Sequence, residues 1–158
     1  WFHTGDAGYL KDSHLYLTER IKDLFKTSNG KYISPQALET KLAIDRYIDQ
    51  IAVIADERKF VSALIVPVYG FVKDYAKEKG IAYSNMDELL QHPKIQALFR
   101  ARIDTLQQQF AHYEQVKRFT LLTEPFSMER GELTNTLKLK RSVVAKNYKG
   151  LIDKMYEE

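Results

Sequence analysis

The chain has 158 residues, which fit one ordinary domain with a short flanking piece, and its 44% hydrophobic content allows a sizeable core. With no cysteine it can form neither a disulfide nor a thiolate metal site, and no run approaches the roughly 20 apolar residues of a membrane span. A net charge of +3 is too small to argue for nucleic acid; the lack of a leader-like start at Trp1, with the absence of cysteine, fits cytoplasmic residence.

In chain order, Tyr9-Leu10 and Leu15 to Leu17 read as short strands joined by the polar turn Lys11 to His14, a hairpin ending at Thr18-Glu19-Arg20. Leu24 to Thr27 and Lys31 to Ile33 flank Ser28-Asn29-Gly30. Asn-Gly signals a tight turn whose residues take positive φ, so a second small hairpin is expected. Ser34 is a helix N-cap with Pro35 at the first helical position, and that helix should run to about Ala43.

The β-branched runs Ile48 to Ala55 and Val61 to Val68 are joined by the charged turn Asp56 to Lys59 and predict an antiparallel pair at the centre of the core sheet. Phe71 to Lys79 is a helix stopped by Gly80, and Asn85 with Glu88 three residues on marks another helix start. From Pro93, residues Ile95, Phe99, Ile103, Leu106 and Phe110 fall at spacings of three and four, the core stripe of one long helix. Lys117 to Thr123 suits a further strand. Ser142 to Met155 reads as a terminal helical region broken near Gly150. The fold class is α+β, a small sheet with flanking helices.

Charge is unevenly spread. Leu133 to Ile152 carries Lys138, Lys140, Arg141, Lys146 and Lys149 and no acid. Such a run usually forms a solvated helix face, but it can also offer an anion a local positive field. His3, His14, His92 and His112 are scattered without metal-ligand spacing, so no metal site is expected. The glycine-containing loop from Thr27 to Pro35 lacks the order of a Walker motif.

Two motifs carry a family resemblance: Trp1-Phe-His-Thr-Gly-Asp-Ala-Gly, continuing through Thr18-Glu-Arg-Ile-Lys-Asp to Pro35, and Gly131-Glu-Leu-Thr-Asn-Thr-Leu-Lys-Leu-Lys-Arg141. Together they resemble the C-terminal end of the acyl-adenylate-forming enzymes, in particular the long-chain fatty acid–CoA ligases. The resemblance spans nearly all of the chain, which opens in mid-motif without an initiator Met and is expected to be a fragment of a larger enzyme, inert by itself. It implies that residues 1–21 are the end of a large N-terminal adenylation domain with its hinge and that 22–158 are a mobile C-terminal domain.

The resemblance also implies roles for single residues. Asp6 would hold the ATP ribose diol, although a Gly-Asp pair alone is more often a plain turn. Arg20 would meet the nucleotide, and Lys22 would absorb the backbone rotation between domains; outside the motif both would be exposed strand-end charges. The family often has glycine before that arginine, where this chain has Glu19. Gly30 would give the pantetheine arm of CoA room to pass, or serve only its own turn. Lys138 would be the catalytic residue, screening the repulsion between the substrate carboxylate and the α-phosphate. Leu137 stands where the usual glycine precedes that lysine, and Lys140 competes for the register.

ATP and CoA would be substrates with a fatty acid, and Mg²⁺ would arrive with ATP, bound mainly by the N-terminal domain. Partners would be that domain and, in the parent protein, a peripheral membrane contact. Two alternatives are a relative acting on an aryl or carrier-protein substrate and a non-catalytic basic module binding an anionic partner such as RNA. Tyr148 is the sole aromatic within Leu133 to Ile152, which weighs against the second.

Overall fold

The computed structural model describes residues 4–20 and 23–157. The expected hinge residue Lys22, and with it the domain boundary expected at 21 and 22, lie outside the described residues.

Strands β1 (Asp6–Lys11) and β2 (His14–Arg20) form the first hairpin, closed by Asp12 and Ser13, which both take positive φ as a two-residue turn matched to strand twist requires. A bulge follows Ala7, and a Cβ on Gly8 would stand 2.5 Å from the Tyr16 carbonyl oxygen, so only glycine fits there. Strands β3 (Phe25–Lys26) and β4 (Tyr32–Ile33) form the second hairpin. Its turn differs from the expected one: only Gly30 has positive φ, at 76°. The Gly30 amide donates to the Thr27 carbonyl, and Thr27 and Lys31 close the loop, so Asn29 sits inside an ordinary turn that Gly30 completes.

Helix α1 (Pro35–Leu42) begins as expected, with the Ser34 hydroxyl accepting the Ala37 amide. Strands β5 (Ile48–Ile54) and β6 (Val61–Pro67) pair antiparallel. Helices α2 (Tyr69–Glu78), α3 (Met86–Gln91) and α4 (Pro93–Leu106) then cross to β7 (Val116–Leu121), which pairs parallel with β6. The order is β5-β6-β7, so β6 is central and buried along its whole length.

The sheet is the middle of three layers because β6 alternates between two cores. Val61, Ala63 and Ile65 pack with Leu38, Leu42, Val72, Ile95, Phe99 and Ile103 from the helices on one side. Leu64 and Val66 pack on the other with Phe126, Leu133, Val144, Ile152 and Met155. Each fully buried side chain of this size is worth about 2 kcal/mol.

One expectation is corrected here. Helix α4 ends at Leu106, short of Phe110, because buried Gln107 turns its side chain to the β7 backbone: its Oε1 accepts the Val116 amide at 2.8 Å. The terminal helical region, α5 (Arg141–Asn147) and α6 (Lys149–Tyr156), is broken near Gly150 as expected, the break itself falling at Tyr148. Tyr148 is held there by packing edge-on against Phe126. Among the described residues no helix is long and apolar enough to cross a membrane.

Candidate functional site

Asp6 and Arg20, at the open end of the first hairpin, are register partners across it. In an antiparallel pair this places their Cα atoms roughly 5 Å apart. The Asp6 amide donates to the Thr4 hydroxyl at 3.3 Å, so the turn entering β1 is locally closed.

The hairpin carrying Gly30 is fastened to the β5–β6 turn. The Ser28 amide donates to the Arg58 carbonyl and the Glu57 amide to the Lys26 carbonyl. No atom lies within 4 Å of where a Gly30 Cβ would stand, so this glycine borders open space and its turn alone requires the positive φ. Lys31 lies over the Tyr113 ring.

Lys138 sits on a small closed loop. Leu133 and Leu139 form an antiparallel bridge. Above it the Thr134 amide donates to the Lys138 carbonyl, while the Thr134 hydroxyl accepts the Lys138 amide. Leu137 has φ of +60°, a left-handed conformation that costs a non-glycine residue about 1–2 kcal/mol. Its side chain is 67% exposed. The Lys138 side chain is exposed, and among the described residues its ammonium has no ion-pair partner. Lys140 is also exposed, but its amide donates to the Glu132 carbonyl at the entry to α5.

Both ends of this loop are anchored by acids whose roles sequence reasoning missed. Buried Glu132 accepts the Ser127 amide at 3.0 Å, Arg130 Nε at 3.1 Å and Asn147 Nδ2 at 3.1 Å. Burial works against its charge, but these hydrogen bonds and the nearby guanidinium outweigh it and hold the carboxyl below the ordinary glutamate value. At the other end Arg141 forms a two-pronged ion pair with Glu39 of α1. One signal was visible beforehand: Glu132 is the last acid before the basic run. Glu39 gave none.

The basic run is thus partly neutralised, since Arg141 is paired with Glu39 and Lys149 with Asp153. The loops of Lys138 and Gly30 also lie toward opposite ends of β5. Phe126 and Leu137 sit near Gln50, whereas Ser28 sits by Arg58. The seven-residue β5 is roughly 20 Å long. Among the described residues no group of three or more His, Asp or Glu could hold a metal ion.

A family model described as the AMP-binding enzyme C-terminal domain matches residues 22–158. The chain belongs to this family. As a member of the adenylate-forming superfamily it is 35% identical over 162 residues to the peroxisomal long chain acyl-CoA synthetase 7 of Arabidopsis thaliana, a match covering 100% of this chain and 23% of that protein. It is 31% identical over 160 residues to the long-chain-fatty-acid–CoA ligase FadD15 of Mycobacterium tuberculosis, covering 100% of this chain and 27% of the relative. This AMP-binding C-terminal domain chain therefore spans about a quarter of the length of the curated relatives it matches.

Among solved structures, the adenylation domain of a Mycobacterium chelonae carboxylate reductase superposes with a TM-score of 0.78 at 24% identity, covering 99% of this chain and 23% of that one. The corresponding Segniliparus rugosus domain, solved with AMP and a co-purified carboxylic acid, gives a TM-score of 0.76 at 20% identity, covering 97% and 23%. Both bear out the α+β fold.

Proposed function

We propose that this chain is the C-terminal part of a long-chain fatty acid–CoA ligase, with residues 1–21 ending the large adenylation domain and 22–158 forming the mobile domain. The enzyme would join a fatty acid to ATP, giving acyl-AMP and pyrophosphate, and CoA thiol would then displace AMP to give acyl-CoA. Resemblance to ligases over the whole chain supports the class. One geometric observation carries the catalytic assignment: Lys138 has an exposed ammonium on a loop anchored at both ends and follows Leu137, which adopts the backbone conformation a glycine would take. That favours Lys138 over Lys140 as the residue in register.

In this reading the Lys138 ammonium sits between the acyl carboxylate and the α-phosphate and stabilises the charge that develops as the carboxylate attacks phosphorus. The paired register of Asp6 and Arg20 suits one ribose and its phosphate. Lys22 is the hinge. The separation of Lys138 and Gly30 along β5 supports use in turn: one loop faces the site for adenylation, and after rotation the Gly30 hairpin lines the CoA path. Mg²⁺ comes with ATP, held mainly by the N-terminal domain.

The test uses the full-length protein, comparing fatty-acid-dependent ATP–pyrophosphate exchange with thioester formation from supplied acyl-adenylate. Loss of exchange in Lys138→Ala with thioesterification intact is expected. A wild type without fatty-acid-dependent exchange overturns the acyl class, and a Lys138→Ala protein that exchanges normally overturns the residue.

A further inference from the structure

The loop bearing Lys138 is closed on itself by the Leu133–Leu139 bridge and by hydrogen bonds of Leu137 and Lys138 with Thr134, so its orientation on the domain depends on what holds its base. Its N-terminal arm is held by Glu132, which is fully buried in the protein while Arg130 beside it is 40% exposed. The Glu132 carboxylate takes donors from three places: the Ser127 amide in the preceding loop, the Arg130 guanidinium, and the Asn147 amide at the end of α5. Arg130 is braced in turn by Glu124 and the Pro125 carbonyl. Glu132's own backbone completes the knot. Its amide donates to the Ser127 carbonyl, and its carbonyl accepts the Lys140 amide at 2.8 Å, tying the outgoing arm of the loop to the incoming one.

We infer that Glu132 is a positioning residue for Lys138, a buried anionic hub that fixes the base of the loop so that the ammonium projects in one orientation. This rests on the adenylation role proposed above for Lys138. The charge matters as well as the shape. Every group aimed at the carboxylate is a donor, so replacing one oxygen by an NH₂ sets donor against donor and leaves a buried polar atom unsatisfied. Five residues separate Glu132 from Lys138, counting neither, and the bridge between Leu133 and Leu139 carries a shift at the base directly into the tip. A misplacement of about 1 Å at a catalytic charge can reduce rate by roughly 10²-fold.

In the full-length protein, Glu132→Gln is expected to lower fatty-acid-dependent ATP–pyrophosphate exchange about 10- to 100-fold. Thioester formation from supplied acyl-adenylate should stay at the wild-type rate. Hydrogen exchange should speed up at the amides of Thr134, Leu137, Lys138 and Lys140, while those of β6 stay protected. Asn147→Ala, which removes one donor and leaves Glu132 in place, should give a smaller loss of the same pattern and keeps the test decisive if Glu132→Gln folds poorly. Unchanged exchange kinetics at the loop amides, or equal losses in both half-reactions, would overturn the positioning role while leaving the ligase reading intact. If Lys138→Ala itself adenylates normally, the Lys138 assignment and the positioning role fall together, and the ligase reading stands.

Discussion

Arg141 grips Glu39 through two parallel hydrogen bonds, each 2.6 Å long, joining the end of the Lys138 loop to a helix that begins more than one hundred positions earlier in sequence. Glu39 Oε1 also accepts the Val53 amide at 2.8 Å, so the same carboxylate covers a donor of the edge strand β5. The pair is bidentate, and Glu39 is largely shielded from water, unlike an ordinary surface pair. Replacing Glu39 with Gln should therefore destabilise the protein by about 1–2 kcal/mol, between the worth of exposed and fully buried pairs. Urea denaturation of both proteins checks this, and an unchanged midpoint would show the pair to be mere decoration.

Lys138 and Lys140 make opposite predictions. Lys138→Ala should reduce acyl-adenylate formation by roughly 10²–10³, the usual effect of losing one preorganised electrostatic contact. Lys140→Ala should leave it near wild type, because the backbone amide of that residue, and not its ammonium, is used by the loop. The two rates of pyrophosphate exchange decide the register; the reverse ranking assigns the role to Lys140.

Gly30 separates backbone strain from steric passage. Its φ of 76° makes any other residue strained, by about 1 kcal/mol, and the open space around it means that no clash adds to this. Gly30→Ala should cost that stability and leave both half-reactions nearly intact. Gly30→Leu should cost a similar amount yet slow thioester formation while adenylation persists. Equal loss of both half-reactions in the leucine variant would argue that the glycine serves its turn alone.

Acid should strike at Glu132. Because its carboxyl is held below the ordinary value of 4.5 in the folded protein, its ionised form stabilises the fold above that value. That contribution is lost as the pH falls below it and through the folded value. The wild type should lose stability more steeply than Glu132→Gln in denaturant titrations run from neutral pH down to about 3. Parallel curves would mean that the carboxyl is not depressed.

The elements were legible in the sequence wherever short-range chemistry decides them. Ser34-Pro35 starts α1, the β-branched apolar run Val61 to Val68 makes a strand, and Asn85 caps α3 by accepting the Glu88 amide. Misreadings came where a distant group intervenes. The stripe through Phe110 keeps helical spacing, but Gln107 leaves the helix to pair with Val116; the break near Gly150 was legible, and the packing of Tyr148 against Phe126 fixes the residue at which it falls.

The sequence by itself determined the α+β class, the order of the elements, and the two motifs that mark the family, because these follow from periodicity, capping and residue type along the chain. Only the tertiary structure decided that β7 runs parallel to β6, that Asp6 pairs in register with Arg20, and that Leu137 is left-handed. It alone tied Glu39 to Arg141 and wrapped Glu132 in donors from Ser127, Arg130 and Asn147. These are long-range or buried contacts whose energy depends on desolvation and on mutual geometry, and neither is written in the local order of residues.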